Sequence, residues 1–395
     1  MQRRLGDPRG SGRSVHAQGP STRGLYVGRA DDDGMPTIRR ARAPGRSPLR
    51  RLLLFVVVAV LVAASWPSDR ADARRSLHPA DQASSPSVSY AEDDDVDTAS
   101  GSAAPARQRR DNPDPYVIAS DGEYLAYFTQ GRSNVPLRVS TDWTTWSKPT
   151  DVLPELPAWA RQGRTWAPAV AERDGRWVLY FTAWHASSGR QCIGTATATT
   201  PYGPFEPSSK PVVCQLELGG SIDPSPFADA SGDYLLWKSD ENALDRPARL
   251  WAAPVDRSGT ALADDPVALL TADHGWEEPL IENPAMVVGD DGRRWLFYSA
   301  GPWDSVRYST GLASCDGPLG PCRKLAHDDP WLGSAGDMVG PGGLDTFLTP
   351  NGEVMAGLHA WEPDAVGYDA GGQRTVRIGH LDLSGLLPTF EPHVD

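Results

Sequence analysis

The sequence is short of positive charge. Lys and Arg number 38 against 51 Asp and Glu, a net charge of -13 over 395 residues. A nucleic-acid partner needs a basic face to displace phosphate counterions, so that class is excluded. Cysteine is also scarce. The four residues Cys192, Cys214, Cys315 and Cys322 include no Cys-x-x-Cys pair, which removes zinc-ribbon and thioredoxin-like readings. No amphipathic helix of useful length interrupts the C-terminal two thirds, and no EF-hand loop is present. What the chain does have is aromatics, with 14 Trp and 11 Tyr. These suit both β-sheets and stacking on sugar rings.

Charge and composition divide the chain. Residues 1–51 are rich in Arg, Gly, Pro and Ser without apolar period, and read as a disordered cytoplasmic tail. Residues 52–66 hold an uncharged run, Leu52 to Ala64, ending near Trp66. The run is short against the 17–25 residues a membrane span usually takes. Arg39, Arg40, Arg42, Arg46, Arg50 and Arg51 stand just upstream. The positive-inside rule then predicts a single-pass signal anchor with its C-terminal side outside. Secretion after signal cleavage is the alternative. Residues 67–110, acidic and rich in Ser, Ala and Pro, read as a flexible linker.

From residue 111 onward, Gly turns between aromatic, alternating runs recur. The turn glycines are Gly122, Gly175, Gly232, Gly292 and Gly352, spaced by 53, 57, 60 and 60 residues. Asp-Gly and Asn-Gly turns between apolar runs mark β-hairpins, because such turns need positive φ. Repetition at that period, about four short strands at a time, predicts an all-β, five-bladed β-propeller over 111–395. Cys315 and Cys322 flank one Gly-Pro turn, and Cys192 and Cys214 bracket its counterpart, so two local disulfides are expected. Export would permit them; four free thiols are the alternative.

In a propeller the first strand of each blade lines the central channel. The stretch before each Gly turn carries Asp114 in the first repeat, Asp223 in the third and Glu282 in the fourth, each next to or one residue from a proline. Proline fits a strand's first residue, where its missing N–H costs least. One Asp-Pro is usually a turn. Three acids at one repeat position point instead to converging carboxylates. Such a set suits glycoside hydrolysis, with one group as acid, another activating water and a third tuning the acid. Calcium coordination is the rival reading of the same acids.

These residues resemble glycoside hydrolase family 43. The resemblance rests on Asn112-Pro113-Asp114-Pro115-Tyr116-Val117, Ser221-Ile222-Asp223-Pro224-Ser225 and Glu282-Asn283-Pro284. Thr165-Trp166-Ala167-Pro168 and the stretch from Tyr234 to Asn242 support it. It implies a five-bladed enzyme acting with inversion on arabinose- or xylose-containing glycans. Asp114 would be the base, Glu282 the acid and Asp223 the modulator of the acid. Three departures stand out. Asn283 replaces a Gly, Ala169 replaces an Asp, and Gly343 stands where a fifth-blade His would help hold a central ion. No cofactor is therefore expected, and the last change counts against calcium. Trp166 is read as a stacking platform. Arg307 and His359 are read as polar substrate contacts, with a solvated strand charge and a core histidine as their bland alternatives. A non-catalytic carbohydrate-binding propeller is the second functional reading. A sialidase-like one has only Ser140–Trp146 as a faint Asp-box, and no Arg cluster or Tyr nucleophile to go with it.

Overall fold

The computed structural model describes residues 111–393. The expected tail, membrane segment and linker over 1–110 lie outside the described residues. Among the described residues no helix is long and apolar enough to cross a membrane. They form five four-stranded antiparallel sheets, each in simple up-and-down order. The only helices among them are four short 3-10 turns. The innermost strands are Tyr116–Ser120, Ala160–Arg173, Ser221–Asp229, Ile281–Val288 and Val339–Leu348. The second strands are Glu123–Tyr127, Arg176–His185, Gly232–Ser239, Arg294–Ala300 and Val354–Trp361. The five-bladed propeller expected from the turn spacing is the fold observed, and the predicted Gly turns are the hairpins joining first to second strands.

Alternation along each strand sends one set of side chains to each sheet face, and adjacent blades bury those faces against each other. Five apolar clusters result. Leu125, Tyr127, Val170 and Phe181 join blades one and two, and Val178, Tyr180, Leu235 and Trp237 join two and three. Leu236, Leu250, Met286 and Tyr298 join three and four. Phe297, Leu344 and Leu358 join four and five, and Val117, Ala126, Phe347 and Met355 join five and one. No strand is shared between the first and last blades, so that seam needs other ties. The Asn112 N–H donates to the Arg374 carbonyl at 2.8 Å, and the Asp111 carboxylate accepts the Arg374 N–H at 2.8 Å. Disulfides join Cys192 to Cys214 and Cys315 to Cys322, the two local pairs expected.

Candidate active site

In or just before every innermost strand, one equivalent residue has left-handed backbone and bends the chain. These residues are Asp114 (φ 51°), Ala167 (φ 40°), Asp223 (φ 57°), Asn283 (φ 46°) and Gly343 (φ 61°). Proline follows the first four, and pairing with the second strand slips there in blades two to five. All five residues line one small open axial cavity of about 30 Å³. Short polar Asp and Asn tolerate left-handed φ, as Gly does; Ala167 has no such excuse. Thus the bend brings one residue per blade to the axis, and in two blades it carries a carboxylate.

This register corrects one expectation. Asp114 and Asp223 do occupy the same repeat position, but its counterpart in blade four is Asn283, not Glu282. Glu282 stands one residue earlier, aligned with Trp166, Ile222 and Gly342, which pair with Thr182, Lys238 and His359. A shift of one residue sends a strand side chain to the opposite face. Glu282 consequently does not line the axial cavity. Its Oε2 lies 3.2 Å from Nζ of Lys238, and its Oε1 accepts from the Tyr308 hydroxyl at 2.8 Å.

The second strands, or in blade one a residue just past the strand, supply a supporting ring, one residue per blade. Thr129 accepts the N–H of Ala167 at 2.8 Å, Thr182 that of Asp223 at 3.1 Å and Ser299 that of Gly343 at 2.8 Å. Nδ1 of His359 accepts the N–H of Asp114 at 3.0 Å. Each thereby satisfies a backbone donor that the bend has removed from the ladder. In blade three the ring position is Lys238. It turns to Glu282 and to Asp240, at 3.3 Å, and Oδ2 of Asp223 takes over the Asn283 N–H at 3.0 Å.

The charges respond to this packing. Burial first, then the charge of Glu282, push the Asp223 carboxyl well above the usual range, against the opposing pull of Lys238. Burial disfavours the Lys238 ammonium, yet Glu282 and Asp240 outweigh it and hold the amine charged beyond its ordinary value. Burial, then Arg374, drive His359 well below its ordinary value, so its ring is neutral and Nδ1 is free to accept. The Asp114 carboxylate takes the Thr129 hydroxyl at 2.6 Å and has the Arg374 guanidinium at 4.0 Å. Arg374 is in turn enclosed by Trp303, Tyr368 and Trp361, with ring centres 5.1 to 5.6 Å away.

Asp114 and Asp223 line the axial cavity, and Glu282 lies behind it, near enough for its charge to act on Asp223. The other residues singled out in the sequence are placed differently. Trp166 is half-buried beside the cavity-lining Ala167 and Pro168. Arg307 is exposed on the loop before Tyr308 and is not among the residues lining the cavity. His359 is fully buried and stacked on Tyr308; it lies behind Asp114, so the core reading of this histidine fits its position and a direct substrate contact does not. Sequence reasoning assigned no role to Lys238, Tyr308 or Arg374. A lysine inside the apolar run Tyr234-Leu235-Leu236-Trp237 was a signal for the first; nothing local marks the other two. Asp345, pushed by burial to about 7, also faces the axial cavity, where Ser225 donates to it at 3.1 Å.

Five closed blades with converging carboxylates at the axis make a propeller of the glycoside hydrolase class. The chain belongs to glycosyl hydrolases family 43, whose family model matches residues 108–384. Among curated proteins it is similar to "Xylosidase/arabinosidase 43A" of Humicola insolens. That match is 35% identical over 119 residues, covering 27% of this chain and 35% of that protein. It is also similar to "Extracellular endo-alpha-(1->5)-L-arabinanase 2" of Bacillus subtilis (strain 168), at 23% identity over 277 residues, covering 64% and 57%. The chain thus spans roughly a third to three fifths of the length of these relatives. Among solved structures, a thermostable family-43 glycoside hydrolase superposes with TM-score 0.63 at 25% identity, covering 71% of this chain and 92% of that one. An alpha-L-arabinofuranosidase from Lactobacillus brevis shares the fold, with TM-score 0.60 at 21% identity, covering 72% and 94%.

Proposed function

We propose that the protein hydrolyses O-glycosidic bonds of arabinose- or xylose-containing glycans with inversion. Asp114 serves as general base, Glu282 as general acid and Asp223 as the group that tunes the acid. The observation that carries this reading is the unequal environment of the carboxylates at and behind the axial cavity. Asp114 faces the cavity with Thr129 and Arg374 beside it, a setting that suits a carboxylate taking a proton from water. Glu282 and Asp223 are buried together near one lysine, a setting in which burial and the charge of Glu282 hold the Asp223 carboxyl well above its usual range. Protonation of the leaving oxygen by one side and activation of water by the other is the inverting scheme. The pentose preference draws on the printed names of the relatives. Exposure to an oxidising exterior is part of the proposal, and the two disulfides support it.

Glu282→Gln and Asp114→Asn, assayed on aryl arabinofuranosides and xylosides, should each lose at least about 100-fold in kcat. NMR of the first-formed sugar should show the inverted anomer. Near wild-type turnover in either variant would remove the role assignment. Oligosaccharide binding with no turnover in the unaltered protein would favour a carbohydrate-binding propeller.

A further inference from the structure

The Tyr308 hydroxyl lies between two oxygen acceptors. Its oxygen is 2.8 Å from Oε1 of Glu282 and 3.0 Å from Oδ1 of Asn283. A phenol has one proton, so it cannot donate to both. When Glu282 is ionised, Tyr308 donates to Oε1 and Asn283 Oδ1 is left without it. When Glu282 carries a proton on Oε1, that proton is donated to the phenol oxygen, and the phenol proton turns to Asn283. With Oδ1 of Asn283 facing the phenol, both contacts are satisfied together only in the second state. Asn283 is a residue of the axial bend, where its left-handed backbone and its N–H bond to Asp223 fix the side chain's origin. Tyr308 is buried and held by stacking on His359.

We infer that Asn283 and Tyr308 form a hydroxyl switch that holds the acid's proton in the substrate-free enzyme, with Asn283 as a positioning residue acting through Tyr308. The inference rests on the role proposed for Glu282. Other groups face Glu282 as well: Lys238 from the second strand of blade three, Asp223 from its first strand, and Asp114 across the mouth, with His359 behind Tyr308. All of these bias the proton; Ser299 also hydrogen-bonds the phenol, in the sense of a donor to its oxygen, which leaves Asn283 Oδ1 as the acceptor for the phenol proton. A residue without a side chain at 283 could not play this part. Asparagine there is one of the departures from the family pattern that the sequence displays.

The test is Asn283→Gly, read as the pH dependence of kcat/KM, which reports the free enzyme. Glycine accepts left-handed φ and keeps the N–H to Asp223, so the bend survives. Removing the acceptor leaves the phenol proton unpaired only in the protonated state. The alkaline limb should move to lower pH by about half to one unit, one hydrogen bond's worth. In a Tyr308→Phe background the same substitution should move nothing, because the switch is already gone. An unmoved or upward-moving limb in Asn283→Gly would overturn the inference, as would a full shift persisting in Tyr308→Phe. Inactivity of Glu282→Gln, checked in parallel, keeps the two readings apart. If that variant is active the acid assignment fails, and if it is inactive with the limb unmoved only the switch fails.

Discussion

Replacing Lys238 by methionine tests the electrostatic account of the site at its centre. The ammonium is buried, 3.2 Å from Oε2 of Glu282 and 3.3 Å from Oδ1 of Asp240. Methionine fills a similar volume without charge, so packing is nearly conserved and the loss is electrostatic. At 3.2 Å the bare attraction is about 5 kcal/mol even with an effective dielectric of about 20. Breaking a buried pair from one side costs about 3–5 kcal/mol, because the remaining charge is stranded. For a domain of this size that corresponds to a fall in Tm of roughly 5–8 °C. The sign with pH follows from the direction of the lysine's shift. Its folded-state value is raised, so its stabilisation is complete below its unfolded value and lost only as pH climbs through the folded one. The full cost should thus appear at pH 7. It should shrink on acidification, as protonation of the partner carboxyls removes the charge that methionine cannot pair. Lys238 also pulls Asp223 downward. Its loss should therefore move the alkaline limb of kcat/KM to higher pH, opposite to the effect expected of Asn283→Gly. Scanning fluorimetry from pH 4 to 9 and a pH–rate profile measure both. A variant melting within about 2 °C of the parent at pH 7, with its alkaline limb in place, would refute this account.

Two further substitutions probe the neighbours. Asp223→Asn keeps an oxygen to accept the Asn283 N–H but removes a carboxyl whose folded-state value is raised, a group that costs stability once pH exceeds its unfolded value. The variant should melt higher than the parent at pH 7–8, converge with it near pH 4, and lose about 10-fold or more in kcat; a lower Tm at pH 8 would contradict the direction given for Asp223. Gly343→Ala would set a Cβ 2.8 Å from His359 Nδ1 and 3.2 Å from Asp114 Oδ1, at a φ of 61° that alanine resists. It should destabilise by about 1–3 kcal/mol and cut kcat more than it raises KM, since the base is displaced; measured kcat and KM equal to the parent's would show that the cradle has slack.

The blades were legible because their hairpin turns demand positive φ, and Asp-Gly or Asn-Gly supplies it at a near-constant interval. The axial position was legible only to within one residue. Counting back from each turn glycine, the bend lies eight residues away at Asp114 and Ala167 but nine at Asp223, Asn283 and Gly343. That slip made Glu282 look equivalent to the two aspartates. The recurring X-Pro step was the better ruler, because it marks the bend itself: Asp114-Pro115, Ala167-Pro168, Asp223-Pro224, Asn283-Pro284. The supporting ring was not legible, since each member serves the blade that follows its own. Arg374 and His359 reach Asp114 from about 250 residues away in sequence, a distance no local pattern spans.

The seam between the first and last blades has a consequence for the order in which the enzyme becomes competent. Glu282, Asp223 and Lys238 belong to blades three and four and make their contacts with one another there, whereas Tyr308 of blade four is stacked on His359 of blade five. Asp114 is made first, yet its backbone N–H and its cationic neighbour come from His359 and Arg374 in the fifth blade. A nascent or C-terminally clipped chain would hold the Glu282–Lys238 pair and leave Asp114, the proposed base, unanchored. Ring closure thus acts as a completion check: the earliest-made of the three carboxylates is the last to be set in place.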